Sequence, residues 1–406
     1  MKEIIKKIIP FLPRFLRVFL FKIYELFGSL KVKRFYKYKN TKKDRSEIKN
    51  ILFYHPTGLS FGGTEKFLQI LAKYIDDEKY NLFFMYSSEN EDRKYYFEKK
   101  NIELIPFDYS IREKTYPYLI KGMHPSIFDV TKKEDIDLII IPGSGYTEFP
   151  INIIKDIPII MLNIFGSPTV QKNIVKHFCI SNAVAEKIRN VVDEEKVEIM
   201  YIPSEKPEIN EEKIKKIKEK FDIKDSDIVF GRIGRASDEI YDSIGIEAFK
   251  KLVSERNDVH YIIMSPPPIL VKKVSKENIP NVHFIDSSSN ESDVWVFHNS
   301  IDILAHFRND GESCGLNIIE SMLCGNLIAT HKSHIWNAHL EYLKPEFSRI
   351  SKKDDVEGYY INLKELIDIL KNSDYENIKN DLIKYSKEKF LIANEIKRFE
   401  KIIDQI

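Results

Sequence analysis

One pattern, run twice, constrains this chain more than anything else in it. From Ile51, short apolar runs alternate with helical stretches: ILFYH, a helix through FLQILAKYI, then LFFMY, LIIIP and IIMLN. The alternation restarts at IVFGRI (228–233) and continues with a helix through IEAFKKL, then VHYIIM, VHFI, DILAHF and NLIATH. Near-continuous apolar strands separated by helices signify a parallel sheet covered on both faces. Two successive runs predict an α/β protein of two Rossmann-like domains facing a cleft. A length of 406 residues accommodates two domains of about 150–200 residues each. A charged stretch around Pro203–Lys220 separates them. The expected division is an arm at 1–47, an N-terminal domain at 48–205, a C-terminal domain at 206–375, and helices at 376–406 that could pack back on the N-terminal domain.

The arm stands apart by charge. Residues 1–45 hold fourteen Lys or Arg and three acids, a net of +11, which leaves about −10 on 46–406. Its sequence interleaves Phe, Leu and Ile with the basic residues, and Arg14, Arg17 and Lys22 keep every uncharged run far below the ~20 residues that span a bilayer. Pro10 and Pro13 limit a helix before about Leu12. No small-residue cleavage site follows, which argues against a signal peptide. The pattern fits an amphipathic segment lying on an anionic membrane surface; the competing reading is an arm that packs its apolar side on the protein itself. Nucleic acid fits less well, because the rest of the chain is acidic and no recognition motif accompanies the arm. With 43% hydrophobic and 31% charged residues, the chain as a whole is ordinary for a soluble globular protein. Cys179, Cys314 and Cys324 are an odd count at no metal-ligand spacing, read as reduced thiols of a cytoplasmic protein peripheral to the inner face of a membrane.

In doubly wound folds, ligands bind beyond the carboxyl ends of the strands. After ILFYH come Gly62 and Gly63, where a helix begins and backbone amides can approach a phosphate; a Gly pair is also simply a turn. After IVFGRI, Arg232 and Arg235 flank Gly234. Arginine is an always-charged partner for a diphosphate, although an ion pair with Asp238 or Glu239 would explain it equally. After DILAHF comes FRNDGESCGLNIIESMLCG. Here Glu312 lies in a loop, Gly315 opens a helix with Leu316, Ile319 and Leu323 as its apolar stripe, and Glu320 follows about 7–8 Å along the axis. A diphosphate at that helix start would have one carboxylate on its sugar side and another beside its ribose. A capped helix with two solvated acids is the competing reading. His331, His334 and His339 superficially suggest a metal, but without an accompanying cysteine or paired acid they read as solvated or capping residues.

The stretch Glu312-Ser-Cys-Gly315-Leu-Asn-Ile-Ile-Glu320, with Ser-Met-Leu-Cys-Gly325 behind it, resembles the signature of the retaining GT-B glycosyltransferases of family 4, the glycosyl transferases group 1. Gly62-Gly63-Thr-Glu65 resembles that family's N-terminal glycine loop, and Gly234-Arg235 its diphosphate-binding pair, at the usual distance before Glu247-Ala248-Phe249. Asp302, Glu312 and Glu320 keep the family's order after the Asp286–Asn290 loop. The resemblance spans about residues 51–390. It implies a GT-B fold that transfers a sugar with retention from a nucleotide-sugar donor, without metal or cofactor. Glu320 would bind the ribose and Glu312 the donor sugar. The amides of Gly315, Leu316 and Asn317 and the guanidinium of Arg235 would hold the phosphates, assisted by Arg232, while Gly62 and Gly63 would face them from the other domain. The acceptor would bind the N-terminal domain, and the basic arm points to a membrane-proximal or lipid-linked glycan of cell-surface polysaccharide synthesis.

Two departures stand out. Ile240 occupies the place of a family lysine, and Asn163 that of a family histidine near the reacting sugar. Asn can bond a sugar hydroxyl but cannot change charge. They leave room for a second reading, a degenerate nucleotide-sugar-binding partner of another glycosyltransferase. A third, a GT-B sugar-nucleotide epimerase, is disfavoured by the Glu312/Glu320 spacing.

Overall fold

The structure, a computed structural model, describes residues 48–88, 91–107, 127–148, 151–167, 171–288 and 290–406. The basic arm, and with it the membrane-surface expectation, lies outside the described residues. The chain divides into two compact units: the first runs to Phe178 and includes 188–198, and the second comprises 179–187 and 199–405. The division thus falls slightly before the expected charged stretch.

In the first unit the parallel strands carry the expected apolar runs. The elements are β1 (Asn50–Tyr54), α1 (Gly63–Tyr74), β2 (Asn81–Ser87), β3 (Ile102–Phe107), α2 (Ile127–Lys133), β4 (Leu138–Gly143), β5 (Ile159–Asn163), β6 (Ile174–Cys179), α3 (Asn182–Ile188) and β7 (Val197–Ile199). Strand order is β3-β2-β1-β4-β5-β6-β7. Ile51, Leu52 and Phe53 on β1 are fully buried, as a strand covered on both faces must be. The order reverses between β1 and β4. Helix α3, which up to Lys187 falls in the second unit, has its start held by Glu341, whose carboxylate accepts from the backbone N–H groups of Asn182 at 2.9 Å and Ala183 at 2.8 Å. An acid at a helix N-terminus meets otherwise unsatisfied donors and the positive end of the dipole.

The second unit comprises α4 (Glu211–Lys220), β8 (Ile228–Ile233), α5 (Ile244–Glu255), β9 (Val259–Met264), α6 (Pro268–Glu277), β10 (Val282–Ile285), α7 (Glu291–Asn299), β11 (Ile303–Ala305), β12 (Gly311–Glu312), α8 (Leu316–Leu323), β13 (Leu327–His331), β14 (Trp336–Asn337), β15 (Ser348–Ser351), α9 (Val356–Leu370), α10 (Tyr375–Phe390) and α11 (Ile392–Gln405). Its sheet runs β10-β9-β8-β11-β13-β15, with β12 and β14 forming a short ribbon of their own. Every pairing in the larger sheet is parallel. The order reverses between β8 and β11, and that switch point is where a doubly wound sheet leaves a crevice for ligands.

The terminal helices, up to Gln405, fall within the second unit. The Ser204 N–H donates to the Phe390 carbonyl at 2.8 Å, and Arg398 Nη2 donates to the Ile199 carbonyl at 2.6 Å. Helix α11 buries Ile392, Ile396, Phe399 and Ile403, the i, i+4, i+7 spacing of one helical face. Among the described residues, no helix is long and apolar enough to cross a membrane.

Candidate functional site

Both strands flanking the second unit's switch point end in candidate residues. Beyond β8 come Gly234 and Arg235. Arg235 is exposed, and no ion pair with Asp238 or Glu239 forms among the described residues; Asp238 instead accepts from the Ile269 N–H at 2.9 Å. Helix α8 starts beside this exit, because the Asn317 Nδ2 donates to the Ile233 carbonyl at 3.1 Å. Gly315, at φ 87°, caps α8 in the left-handed region, where a side chain would be strained. A Cβ there would also lie 2.8 Å from the Tyr342 hydroxyl, which donates to the Cys314 carbonyl at 2.6 Å and pins the turn. The free amides of the first turn of α8 therefore open next to the Gly234–Arg235 loop. Such amides, with the positive end of the helix, attract anions.

Arg232 points inward from β8. It is 2% exposed, and its Nε and Nη1 have no hydrogen-bond partner. The guanidinium lies 4.8 Å from the centre of the Phe307 ring. Its Nη2 is 3.6 Å from where a Gly234 Cβ would stand, so the tip lies under the Gly234 backbone. Burial pushes its proton affinity down, against the nearby tyrosines and Glu312 and with the help of Arg308. The apolar socket is tight: a Cβ at Gly245 would collide with the Phe307 ring.

Beyond β11, the chain loops through Arg308 to Glu312. The Glu312 Oε1 takes hydrogen bonds from His306 Nε2 at 3.1 Å and Arg308 Nη1 at 3.4 Å. Arg308 is also held by both oxygens of Asp310, at 2.5 and 2.9 Å. Burial alone would push the Glu312 carboxyl up. The His306 bond and the charges of His306 and Arg308 outweigh it and hold the carboxyl at about 2, so Glu312 is a carboxylate throughout the physiological range.

The remaining candidates are placed less openly. Glu320 is 3% exposed and faces α7, its Oε2 3.6 Å from His298 Nε2, which is not the solvated acid of the competing sequence reading. Asn163 is fully buried. Its Oδ1 accepts from the Gly166 N–H at 2.8 Å, and its Nδ2 lies 3.4 Å from His177 Nδ1. The amide expected to meet a sugar hydroxyl therefore organises the loop after β5. Gly62, at φ 143°, caps α1, and a Cβ on it would strike the Glu65 carboxylate. That carboxylate folds back over the helix start and accepts from Thr57 Oγ1 at 2.9 Å. The positive end of α1 beside Gly63 thus already has an anion, as in a capping box.

Sequence reasoning missed His306 and Arg308, which hold Glu312, and Thr330, which lies behind His306. Their signal was present: His306 interrupts an otherwise apolar strand exit, and Arg308 sits four residues before Glu312. The histidine expectation is corrected in part. His331 and His339 are 2% and 1% exposed, fixed by buried hydrogen bonds rather than solvated, whereas His334 is exposed. His339 Nε2 lies 3.3 Å from Thr330 Oγ1, which lies 3.3 Å from His306 Nδ1. Among the described residues, no group of three or more His, Cys, Asp or Glu side chains is arranged to hold a metal ion.

Two parallel-sheet α/β units, the second with an anion-accepting helix start at its switch point, define a GT-B protein. Residues 213–389 match the family model described as Glycosyl transferases group 1. The fold is similar to that of a glycosyltransferase from Rickettsia africae, at 15% identity and a TM-score of 0.72 over 88% of this chain and 98% of that one. It is similar also to Anabaena Alr3699/HepE, solved in complex with UDP and glucose, at 15% identity and 0.66 over 89% and 100%. A third likeness is to a putative UDP-N-acetylglucosamine 2-epimerase from Listeria monocytogenes, at 13% identity and 0.58 over 88% and 96%. At such identities these are likenesses of fold. Among curated proteins no sequence match is found.

Proposed function

We propose that this protein is a glycosyltransferase that transfers a sugar, with retention and without metal, from a nucleotide-sugar donor to a membrane-proximal or lipid-linked glycan. The observation that carries the reading is the junction at the β8–β11 switch point. There the Asn317–Ile233 bond brings the first turn of α8 beside exposed, unpaired Arg235. In this reading the diphosphate of the donor lies at Gly315, Leu316 and Asn317 and under Arg235. As the bond to the sugar breaks, negative charge builds on the departing diphosphate. Preorganised amides and a guanidinium stabilise it there more than in the ground state. Glu312 accepts a hydroxyl of the donor sugar, and Glu320 serves the ribose end. The acceptor belongs to the first unit, and the basic arm supplies the attraction to an anionic surface.

The buried, fully engaged amide of Asn163 favours a second reading, in which the chain binds a nucleotide-sugar and regulates a catalytic partner. The test is a calorimetric screen of UDP-, GDP- and ADP-sugars, followed by turnover of the bound donor with lipid-linked acceptors and assignment of the product anomer. Arg235→Ala should cut turnover by about a hundredfold, the scale of losing one preorganised donor, with Arg235→Lys restoring part of it. Absence of donor binding ends the proposal. Binding without turnover transfers it to the regulatory reading, and an inverted product removes retention alone.

A further inference from the structure

The loop that carries Glu312 is built to present one oxygen of its carboxylate and to withhold the other. Gly311, at φ 70°, leaves no room for a Cβ against the Trp336 carbonyl and Ser333. Ribbon β12–β14 then sets Glu312 opposite Asn337. From that anchor the side chain reaches back to the exit of β11, where Oε1 receives both His306 Nε2 and Arg308 Nη1. Oε2 receives no hydrogen bond among the described residues, and the side chain keeps 15% of its surface.

Behind Glu312, His306, Thr330 and His339 form a buried row. An ionised carboxylate only accepts, so the His306 Nε2 carries the hydrogen on that side. Its Nδ1 faces the Thr330 hydroxyl at 3.3 Å, which in turn faces His339 Nε2 at 3.3 Å. Burial holds the His339 ring at about 3, so it is neutral, and the Thr330 hydroxyl bridges the two rings. His306, Thr330 and His339 are each at most 5% exposed, so water does not compete for the contacts between them.

We infer that His306 is a positioning residue which, with Arg308, occupies Oε1 of Glu312 and leaves Oε2 as the single acceptor through which a donor-sugar hydroxyl is read. The inference rests on the donor reading above and extends it to how the sugar is told apart. A carboxylate free to rotate could satisfy either of two hydroxyls; one with Oε1 fixed accepts along one direction. Discrimination follows from the unpaired oxygen left when that hydroxyl is missing or inverted.

The experiment compares free diphosphates (UDP, GDP, ADP) with UDP-glucose, UDP-galactose, GDP-mannose and ADP-glucose by calorimetry, on wild type, His306→Phe and His306→Gln. His306→Phe should leave free-diphosphate affinity within about twofold, weaken the preferred nucleotide-sugar about tenfold, the size of one charge-assisted bond, and narrow the preference between sugars. His306→Gln, whose amide can donate to Oε1, should recover most of the loss, which a packing defect would not allow. Should His306→Phe fail to fold, Arg308→Gln replaces it with the same expected split. Long-range 15N spectra of the unliganded wild type should show the hydrogen of His306 on Nε2 in slow exchange. A sugar increment unchanged in His306→Phe, or in Arg308→Gln where that replaces it, or a hydrogen on Nδ1 alone, overturns the inference and leaves the donor reading standing. Failure of every nucleotide and nucleotide-sugar to bind wild type removes both.

Discussion

Arg232 is the most expensive side chain in the second unit, and Arg232→Met measures what it is kept for. Its Nε and Nη1 are buried without partners, and each such donor costs about 1–3 kcal/mol. The Phe307 face returns up to about 2 kcal/mol if the contact is well desolvated. With that return in full the net burden is about 0–4 kcal/mol, which overlaps the about 1–4 kcal/mol recovered when buried charges elsewhere are replaced by apolar residues of similar volume. Methionine keeps the aliphatic stem against Phe307 and removes the donors. Arg232→Met should raise the stability of the unliganded protein, with Tm rising by about 2–4 °C for each kcal/mol, and should shift the urea midpoint without changing the slope.

The same substitution should damage ligand binding, because Nη2 lies under the Gly234 backbone, where an anion held by the loop would meet it. UDP or its GDP or ADP counterpart should lose about tenfold or more in affinity, the value of one charge-assisted bond, whereas the uncharged nucleoside should bind Arg232→Met and wild type alike. Differential scanning calorimetry with and without the diphosphate reads both effects. A variant that melts earlier and binds the diphosphate as before would refute the reasoning, and would mean that the guanidinium is structurally satisfied in solution.

Three further outcomes are expected. Glu320→Gln should weaken nucleotide binding by about 1.5–3 kcal/mol if the carboxylate turns toward ribose hydroxyls; a lower Tm with unchanged affinity would instead assign Glu320 to its contact with His298. Deletion of residues 1–45 should leave a folded protein that sediments less with anionic liposomes at low salt, a difference that fades as salt screens the surface; equal sedimentation would favour the self-packing arm. Burial holds His177 at about 4 and His339 at about 3, below the ordinary 6.5. Unfolded chains therefore bind more protons as pH falls through 6.5, and stability should drop by up to about 1.4 kcal/mol per pH unit per histidine until the folded values are reached. His339→Gln should flatten that slope in the second unit's urea midpoints between pH 4 and 6, and an unchanged slope would count against the cause.

Periodicity made the two sheets legible, because strands such as LIIIP and VHYIIM are buried on both faces and cannot hide that in sequence. Gly315 was legible for a related reason: a left-handed cap at the start of an amphipathic helix leaves few residue types. Burial of individual polar groups was not. Glu320 sits one position from Ile319, on a helix whose apolar stripe is wide enough to take it inside, and periodicity does not distinguish a carboxylate facing solvent from one facing His298. Asn163 ends β5 as the family's histidine would, yet its amide is taken by Gly166, a bond across only three residues that nothing in the residue types announces. His306 and Arg308 reach Glu312 from beyond β11, with Thr330 of β13 behind His306, and only strand order brings them together.

Strand order also bears on Ile240, the position where the resemblance leads one to expect a lysine. The Ile240 carbonyl accepts from the Asn309 N–H at 3.1 Å, so a side chain at 240 starts beside the loop that leads from Arg308 to Glu312. That loop lies on one flank of the switch point and Arg232 on the other. A diphosphate between them can draw its second positive charge from either side. If a diphosphate binds there, Arg232 would supply from inside, at a cost in stability, a charge that Ile240 does not. Ile240→Lys in the Arg232→Met background should restore at least part of the lost diphosphate affinity, while keeping the higher Tm, because an exposed ammonium is not desolvated. In the wild-type background the same lysine should add less, since the compensating cation is already in place. An equal gain in both backgrounds would show that the two positions act independently, and Arg232 would then have to be explained by something other than the missing lysine.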